Sequence, residues 1–255
     1  MTLLLPNAFL QVPIAHRGFH GGQNGVENSR EAIAKAVALG YGIELDLQCS
    51  SDGQAMVFHD ETLNRMTGVA GRVMDKTAAE LGAVQLLGGQ TGIPALVDIL
   101  AQVAGKVPLL IEIKYKLGEL DPTDGQLEGA TAAALHSYRG PVAVMSFNPH
   151  SVAHMAKLAP EIPRGLTTDS FSAKDWPDIS EQRLQQLRRL DGYDAMEAGF
   201  ISHDQSDLAN ARVAEVKSAG HPVLCWTITS EAEEAIARQM ADNITFEGYA
   251  ARITP

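Results

Sequence analysis

The chain has 255 residues, 45% of them hydrophobic and 20% charged, a globular composition that excludes a disordered chain and fits one large α/β domain or two small ones. Its net charge is −11 and its pI about 5.1, so its surface repels phosphate backbones at long range and nucleic acid is excluded as an expected partner. A phosphate ligand stays open wherever a local cation or metal reverses that field.

In chain order, the N-terminal run MTLLLPNAFLQVP has no basic region and is broken by Pro6, which argues against a signal peptide. No stretch approaches ~18 continuous apolar residues, so no membrane span is expected and the default location is cytoplasmic. VPIA reads as the first strand, ending at His16. A glycine-rich loop follows, then the helical pattern ENSREAIAKAVALG, with Asn28 as candidate N-cap, Glu31 three residues later in a capping-box arrangement, and Gly40 as the stop. The second strand, GIELDLQC, runs directly into the turn signal SSDG and then QAMVFHD. No helix fits in that turn, so AMVF is expected to fold back as a hairpin and return His59 to the sheet rim. Segment 60–106 is longer than a barrel loop needs and reads as an insertion.

Further strands are placed at 107–114, 141–147, 164–168, 193–198, 221–228 and 243–248, with amphipathic helical patterns between most of them. With the first two strands these make eight. Eight βα units in about 250 residues is the pattern of a (β/α)₈ TIM-type barrel. The expectation is thus an α/β chain forming one domain over 1–255, with a small insertion at approximately 60–106 after the second strand's hairpin. The alternative, a doubly wound open sheet of the dinucleotide-binding kind, finds no G-x-G-x-x-G after any strand. Cys49 and Cys225 sit in strand-like runs, have no metal-ligand spacing and read as small core residues.

Functional groups of such barrels gather at the C-terminal strand ends. There the sequence places His16 and Arg17, Glu44 and Asp46, the returning His59 and Asp60, Glu112 and Lys114, and Trp226. Glu44 and Asp46 are two apart and share one face, as do Glu112 and Lys114, while Ile43, Leu45, Leu47, Ile111 and Ile113 take the other. Carboxylates aimed into a barrel cost free energy unless paired or bound to metal. Three converging carboxylates suit a hard divalent cation such as Mg²⁺ or Ca²⁺. A buried ion network of Glu44 and Glu112 with Arg17 and Lys114 is the competing arrangement. Two histidines at the same rim suit general acid–base chemistry near neutral pH. His136, His150, His154, His203 and His221 lack such company and read as loop or surface residues, and His20 stays without a role.

The stretches AHRGFHGGQNGVENS, IELDLQCSSDGQAMVFHDETLNRMTG, LLIEIK, MSFNP and CWTI together resemble the glycerophosphodiester phosphodiesterase family. The resemblance is continuous over 12–75 and recurs at later strands to about 228. It implies a (β/α)₈ barrel hydrolysing phosphodiesters with one divalent cation, Mg²⁺ or Ca²⁺. It also implies Glu44, Asp46 and Glu112 as metal ligands and His16 and His59 as the acid–base pair. Arg17 and Lys114 would hold phosphate oxygens. Glu27 and Asn28 would close over the phosphate or support His16, and Phe147 and Trp226 would line the alcohol pocket.

The chain makes three departures from the family pattern: Ser29 for Thr, Thr229 for Asn, and Phe246 with Glu247 where a Thr-Asp pair is usual. They leave the hydrolytic centre intact and bear on the alcohol group. The implied reaction yields glycerol phosphate and a free alcohol from a small-molecule phosphodiester. A phospholipase D-like enzyme acting on lysophospholipids would need apolar surface at the rim, which Phe171 and Trp176 could supply. A non-catalytic phosphate-binding protein would have lost a histidine or a carboxylate, and none is lost. A transition-metal amidohydrolase would want His-x-His where this chain has His16-Arg17-Gly18. Oligomeric state is not readable from the sequence.

Overall fold

In the computed structural model, which describes residues 2–114 and 120–253, eight parallel strands close on themselves. They are β1 (Ile14–Ala15), β2 (Gly42–Cys49), β4 (Leu109–Ile113), β5 (Val142–Ser146), β6 (Arg164–Thr168), β7 (Phe200–Asp204), β8 (Val223–Ile228) and β9 (Asn243–Phe246). Closure comes from β1, whose Ile14 pairs with Gly42 on one side and Thr245 on the other. The remaining strand, β3 (Ala55–Val57), lies antiparallel on β2, with Leu47 opposite Val57 and Cys49 opposite Ala55. The hairpin read from SSDG therefore forms. Its turn is tied by the Ser50 hydroxyl, which accepts from Gln54 N at 2.8 Å and donates to Asp52 at 2.6 Å.

Alternation along the strands sorts the side chains. Ile43, Leu45, Leu47, Ile111 and Ile113 join Ile33, Ile99, Val152 and Val216 from the surrounding helices in one continuous core. The inward residues at the strand starts are also apolar: Leu110, Ala143, Phe200 and Leu224 cluster with Leu5 and Phe9 of the N-terminal segment and seal the lower end, and Met145, level with Glu112, joins them from above. Phe200 fills so much of this space that a Cβ on Gly165 would lie 2.5 Å from its ring. Higher up, the inward positions turn polar, and the site begins there.

Segment 56–93 has its own apolar cluster of Met56, Phe58, Leu63, Val73, Leu81, Leu86 and Ile93. The helix Leu96–Val103, within the 60–106 range, belongs instead to the main core through Leu96, Ile99, Leu100 and Val103. The expected strand at 193–198 is a correction: Asp194–Met196 is a 3₁₀ turn, and the strand is β7, directly after it. The left-handed backbone of Gly192 and Glu197 (φ 83° and 52°) confines Asp194–Met196 to a turn, whereas Phe200 and Ile201 can each fill a buried face.

The first barrel helix, Arg30–Leu39, is capped by Ser29, whose hydroxyl accepts from Ala32 N at 3.1 Å. Asn28 is not the N-cap, because it stands in the left-handed region at φ 57° with its side chain engaged elsewhere. Cys225 is fully buried, while Cys49 is half-buried against the main core. His203 is also a correction. It is buried on β7 between the Thr168 hydroxyl (2.8 Å) and Asp207 (3.3 Å), a hydrogen-bonded interior residue rather than a surface one. No helix among the described residues is long and apolar enough to cross a membrane.

Candidate active site

The upper ends of β1, β2 and β4 bring the first group of side chains together. After β1 the backbone of His16 is pinned by donation to Phe246 O at 2.9 Å. Arg17 then turns into the left-handed region at φ 53°, a conformation costing a non-glycine residue about 1–2 kcal/mol. The turn is held from both sides: Arg17 N donates to Glu44 Oε2 at 3.0 Å, and Arg17 O accepts from Asn28 N at 2.8 Å. Its guanidinium reaches Glu27 (3.0 Å) and Asp46 (3.2 Å). Asn28 clamps Asp46 twice, donating to Oδ2 at 2.9 Å and accepting from the Asp46 amide at 3.3 Å. Gly18 follows at φ 82°. The close approach it permits is to the start of helix Arg30–Leu39, where a Cβ would meet Ala32 C at 3.0 Å.

Glu44 and Asp46 on β2 and Glu112 on β4 are all buried, and each offers an oxygen within 4.8 Å of the others. Lys114 Nζ sits 2.8 Å from Asp46 and 2.6 Å from Glu112. Burial alone would raise the Asp46 carboxyl, but Lys114 and Arg17 hold it far below the usual carboxylate range. Burial pushes the Glu44 carboxyl well up, and the neighbouring Asp46 and Glu112 push it further. Burial disfavours the Lys114 ammonium, yet Asp46 and Glu112 keep it charged beyond its ordinary range. The ion-network arrangement thus accounts for Asp46 and Glu112 but leaves Glu44 unexplained. Its Oε1 is buried without a hydrogen-bond partner among the described residues. A buried, unpartnered carboxylate oxygen facing two more carboxylates fits an oxygen-preferring divalent cation.

The two histidines are each anchored at Nδ1. His59 Nδ1 lies 2.7 Å from Asp60, and His16 Nδ1 lies 2.6 Å from Glu247 at the end of β9. An ionised carboxylate can only accept, so Nδ1 carries a proton on both rings and Nε2 is the atom left to exchange one. Burial pushes His59 below the ordinary histidine range, and the nearby Lys114 and Arg17 add to this against the pull of Asp46. Asp60 is itself gripped by Arg65 at 2.7 and 2.8 Å, and Arg65 also grips Glu27 at 2.6 and 2.9 Å. Burial would raise Asp60, but Arg65 and His59 hold it down to about 2. The hydrogen bond from His16, with the His20 imidazole close by at 3.6 Å, likewise holds Glu247 below the usual carboxylate range.

These groups line one cavity of about 540 Å³, with His16, Arg17, Glu44, His59, Glu112 and Lys114 on one side and Phe147, Trp176 and Trp226 on the other. Glu27, Asn28 and Asp46 stand behind this first layer and hold its members. Phe147 packs edge-on against Trp226 (5.6 Å between ring centres) and lies 5.3 Å from Trp176. Both indole N–H groups are spent within the protein, Trp226 on Ser202 O and Trp176 on Asp169. Phe171 does not line the cavity: it is buried behind Phe147 and Trp176, at 6.4 and 5.5 Å between ring centres, with Leu120, Ile179, Leu184 and Leu187.

Sequence reasoning passed over three contributors. Arg65 braces two site carboxylates, and its only signal was its place in the run HDETLNR after His59. Gln48 holds the His59 carbonyl at 2.9 Å, from the β2 position two beyond Asp46. Glu247 was visible as a departure in the last strand, but nothing local in the sequence brings it to His16, 231 residues away.

Residues 16–243 match the Glycerophosphoryl diester phosphodiesterase family. A glycerophosphodiester phosphodiesterase of Caldanaerobacter subterraneus subsp. tengcongensis is 31% identical over 171 residues, covering 64% of this chain and 69% of that protein. Among solved structures, a phosphodiesterase of Oleispira antarctica in complex with the product sn-glycerol-3-phosphate superposes with a TM-score of 0.71 at 26% identity, over 94% of both chains. A glycerophosphodiester phosphodiesterase from Thermotoga maritima shares the fold, with a TM-score of 0.70 at 20% identity over 92% of this chain and 94% of that one.

Proposed function

This chain belongs to the glycerophosphoryl diester phosphodiesterase family and is a phosphodiesterase, and from that premise we propose metal-dependent hydrolysis of glycerophosphodiesters to glycerol phosphate and an alcohol by two-histidine acid–base catalysis. One observation carries the reading: Glu44 and Glu112 line a cavity with two histidines, each anchored at Nδ1 on a carboxylate, and Asp46 stands directly behind them, the three buried carboxylates lying within 4.8 Å of one another. A divalent cation held by Glu44, Asp46 and Glu112, either Mg²⁺ or Ca²⁺, supplies neutralisation of charge on the phosphoryl oxygens.

The chain's own residues do the rest. Arg17 and Lys114 bind phosphate oxygens, adding positive charge where negative charge builds up. Of His16 and His59, one takes a proton at Nε2 from the attacking group and the other gives one at Nε2 to the leaving alkoxide, each worth ~10²–10⁴ in rate. Glu27 and Asn28 keep Arg17 and Asp46 in place. Phe147 and Trp226 form the wall against which the alcohol group lies. That wall offers no indole donor, so it discriminates by shape and apolar contact.

Purified protein is assayed for glycerol phosphate release from glycerophosphodiesters of different head groups, with Mg²⁺, Ca²⁺ or a chelator. Micellar lysophospholipid is a parallel substrate. The expectation is metal-dependent release from the soluble diesters, abolished in His16→Ala and His59→Ala. Activity that survives both substitutions, or turnover confined to lysophospholipid, overturns the reading.

A further inference from the structure

We propose that Glu247 is the positioning residue for His16 and that His20 in turn holds Glu247. The inference rests on the acid–base role assigned to His16 above. Glu247 follows β9, and its amide donates to Ile228 O at 3.0 Å, which fixes where its side chain starts. Its Oε2 lies 2.6 Å from His16 Nδ1 and 3.6 Å from His20 Nε2, so one carboxylate oxygen faces two imidazoles. The first contact fixes the His16 tautomer and aims Nε2 along the line toward Glu44, 3.9 Å away.

The two catalytic histidines are then built alike but braced differently. The Asp60 carboxylate beside His59 is gripped by the Arg65 guanidinium. Glu247 has no Lys or Arg nitrogen within ion-pair reach among the described residues, and His20 takes that place. His20 is well set for it. The preceding Phe19 stacks on Tyr41 at 5.4 Å, its amide donates to Ala32 O at 3.0 Å, and the His20 amide closes a tight turn onto Gly18 O at 3.1 Å. The His20 Nε2 atom is buried and makes no hydrogen bond, and the charged oxygen it faces is Glu247 Oε2 at 3.6 Å, an ion-pair distance. His20, which the sequence left without a role, thus belongs to the support of the site.

The test compares Glu247→Gln, Glu247→Asp, His20→Ala and His16→Ala with the wild type, each checked for an unchanged melting temperature. Glutamine keeps the shape but can face His16 with either a carbonyl or an N–H, so the tautomer is no longer fixed. Glu247→Gln is expected to lower kcat by about 10²-fold, the lower end of the general acid–base range, with KM within about threefold. Glu247→Asp keeps the carboxylate and recovers most of the loss, and His20→Ala costs severalfold in kcat. Imidazole ¹⁵N spectra report a single Nδ1–H tautomer for neutral His16 in the wild type and a mixture in Glu247→Gln. If Glu247→Gln stays within threefold of wild-type kcat, loses activity through KM alone, or leaves the His16 tautomer unchanged, the positioning role is refuted while the reading of His16 stands. If His16→Ala itself turns over normally, that reading fails first and this one with it.

Discussion

Replacing Glu44 by Gln separates the metal-binding reading from a purely structural ion network without relying on turnover. The Glu44 carboxylate lies within 4.8 Å of Asp46 and Glu112, and its Oε1 has no partner among the described residues. At that separation and an effective dielectric of about 20, two unit charges repel by about 3.5 kcal/mol. Lys114 and Arg17 offset part of this, and the raised pKa of Glu44 lets a proton relieve more. We expect Glu44→Gln to be about 1–3 kcal/mol more stable than wild type in a chelator, the part of that repulsion left after Lys114, Arg17 and protonation have offset the rest. Its amide oxygen can still accept from Arg17 N, so the loop keeps its hydrogen bond. With Mg²⁺ or Ca²⁺ at about a hundred times Kd, the wild type gains about 2.7 kcal/mol and the variant little or none. For a chain of this size each kcal/mol shifts the melting temperature by about 2–4 °C. Thermal melts of both proteins, in chelator and in each cation, therefore cross: the variant melts higher without cation and loses that advantage with it. If Glu44→Gln melts below wild type in chelator and both respond equally to cation, Glu44 is part of a structural network and the electrostatic argument is wrong.

Three further outcomes follow from the same geometry. Asn28→Ala loses both hydrogen bonds to Asp46 and puts alanine, which tolerates the left-handed region less well than asparagine, at φ 57°, so it is expected to cost about 2–4 kcal/mol in urea unfolding. Asn28→Gly loses the same two hydrogen bonds without the backbone cost, and equal midpoints for the two variants would show that the backbone contributes nothing. The Asp60 carboxyl is held down to about 2 by Arg65 and His59 against its burial, so its contribution is fully present above the ordinary Asp range near pH 4 and fades as pH falls toward 2. Arg65→Ala should flatten that acid limb, and an unchanged acid unfolding curve would remove Arg65 from the account. Burial pushes the Cys225 thiol up to about 12, so alkylation at pH 8.5 should leave it untouched until denaturant is added. Modification of Cys225 in the folded protein would contradict its burial.

Local pattern was enough for much of the site because the relevant periods are short. The two-residue alternation of Glu44 with Asp46 and of Glu112 with Lys114 set their common face, and a turn too short for a helix required His59 to return to the rim. Where two readings of a short segment were equally regular, pattern misled. The 193–198 run carries apolar residues at strand-like spacing, but it is Phe200–Asp204 that pairs with neighbours on both sides. Asn28 has the chemistry of an N-cap, and only the packed loop shows that Ser29 caps while Asn28 turns inward to Asp46.

The barrel's repeating order and the residue types at its strand ends are legible from the chain alone, since both are written in periods of two to four residues. The tertiary structure decided which groups meet across the closed barrel. It set Glu247 against His16 and His20, Arg65 against both Glu27 and Asp60, and the N-terminal segment under Phe200. Those pairings depend on β1 joining β9 and on the hairpin folding over the rim. Closure of a sheet is a property of the whole strand set, and no local window contains it.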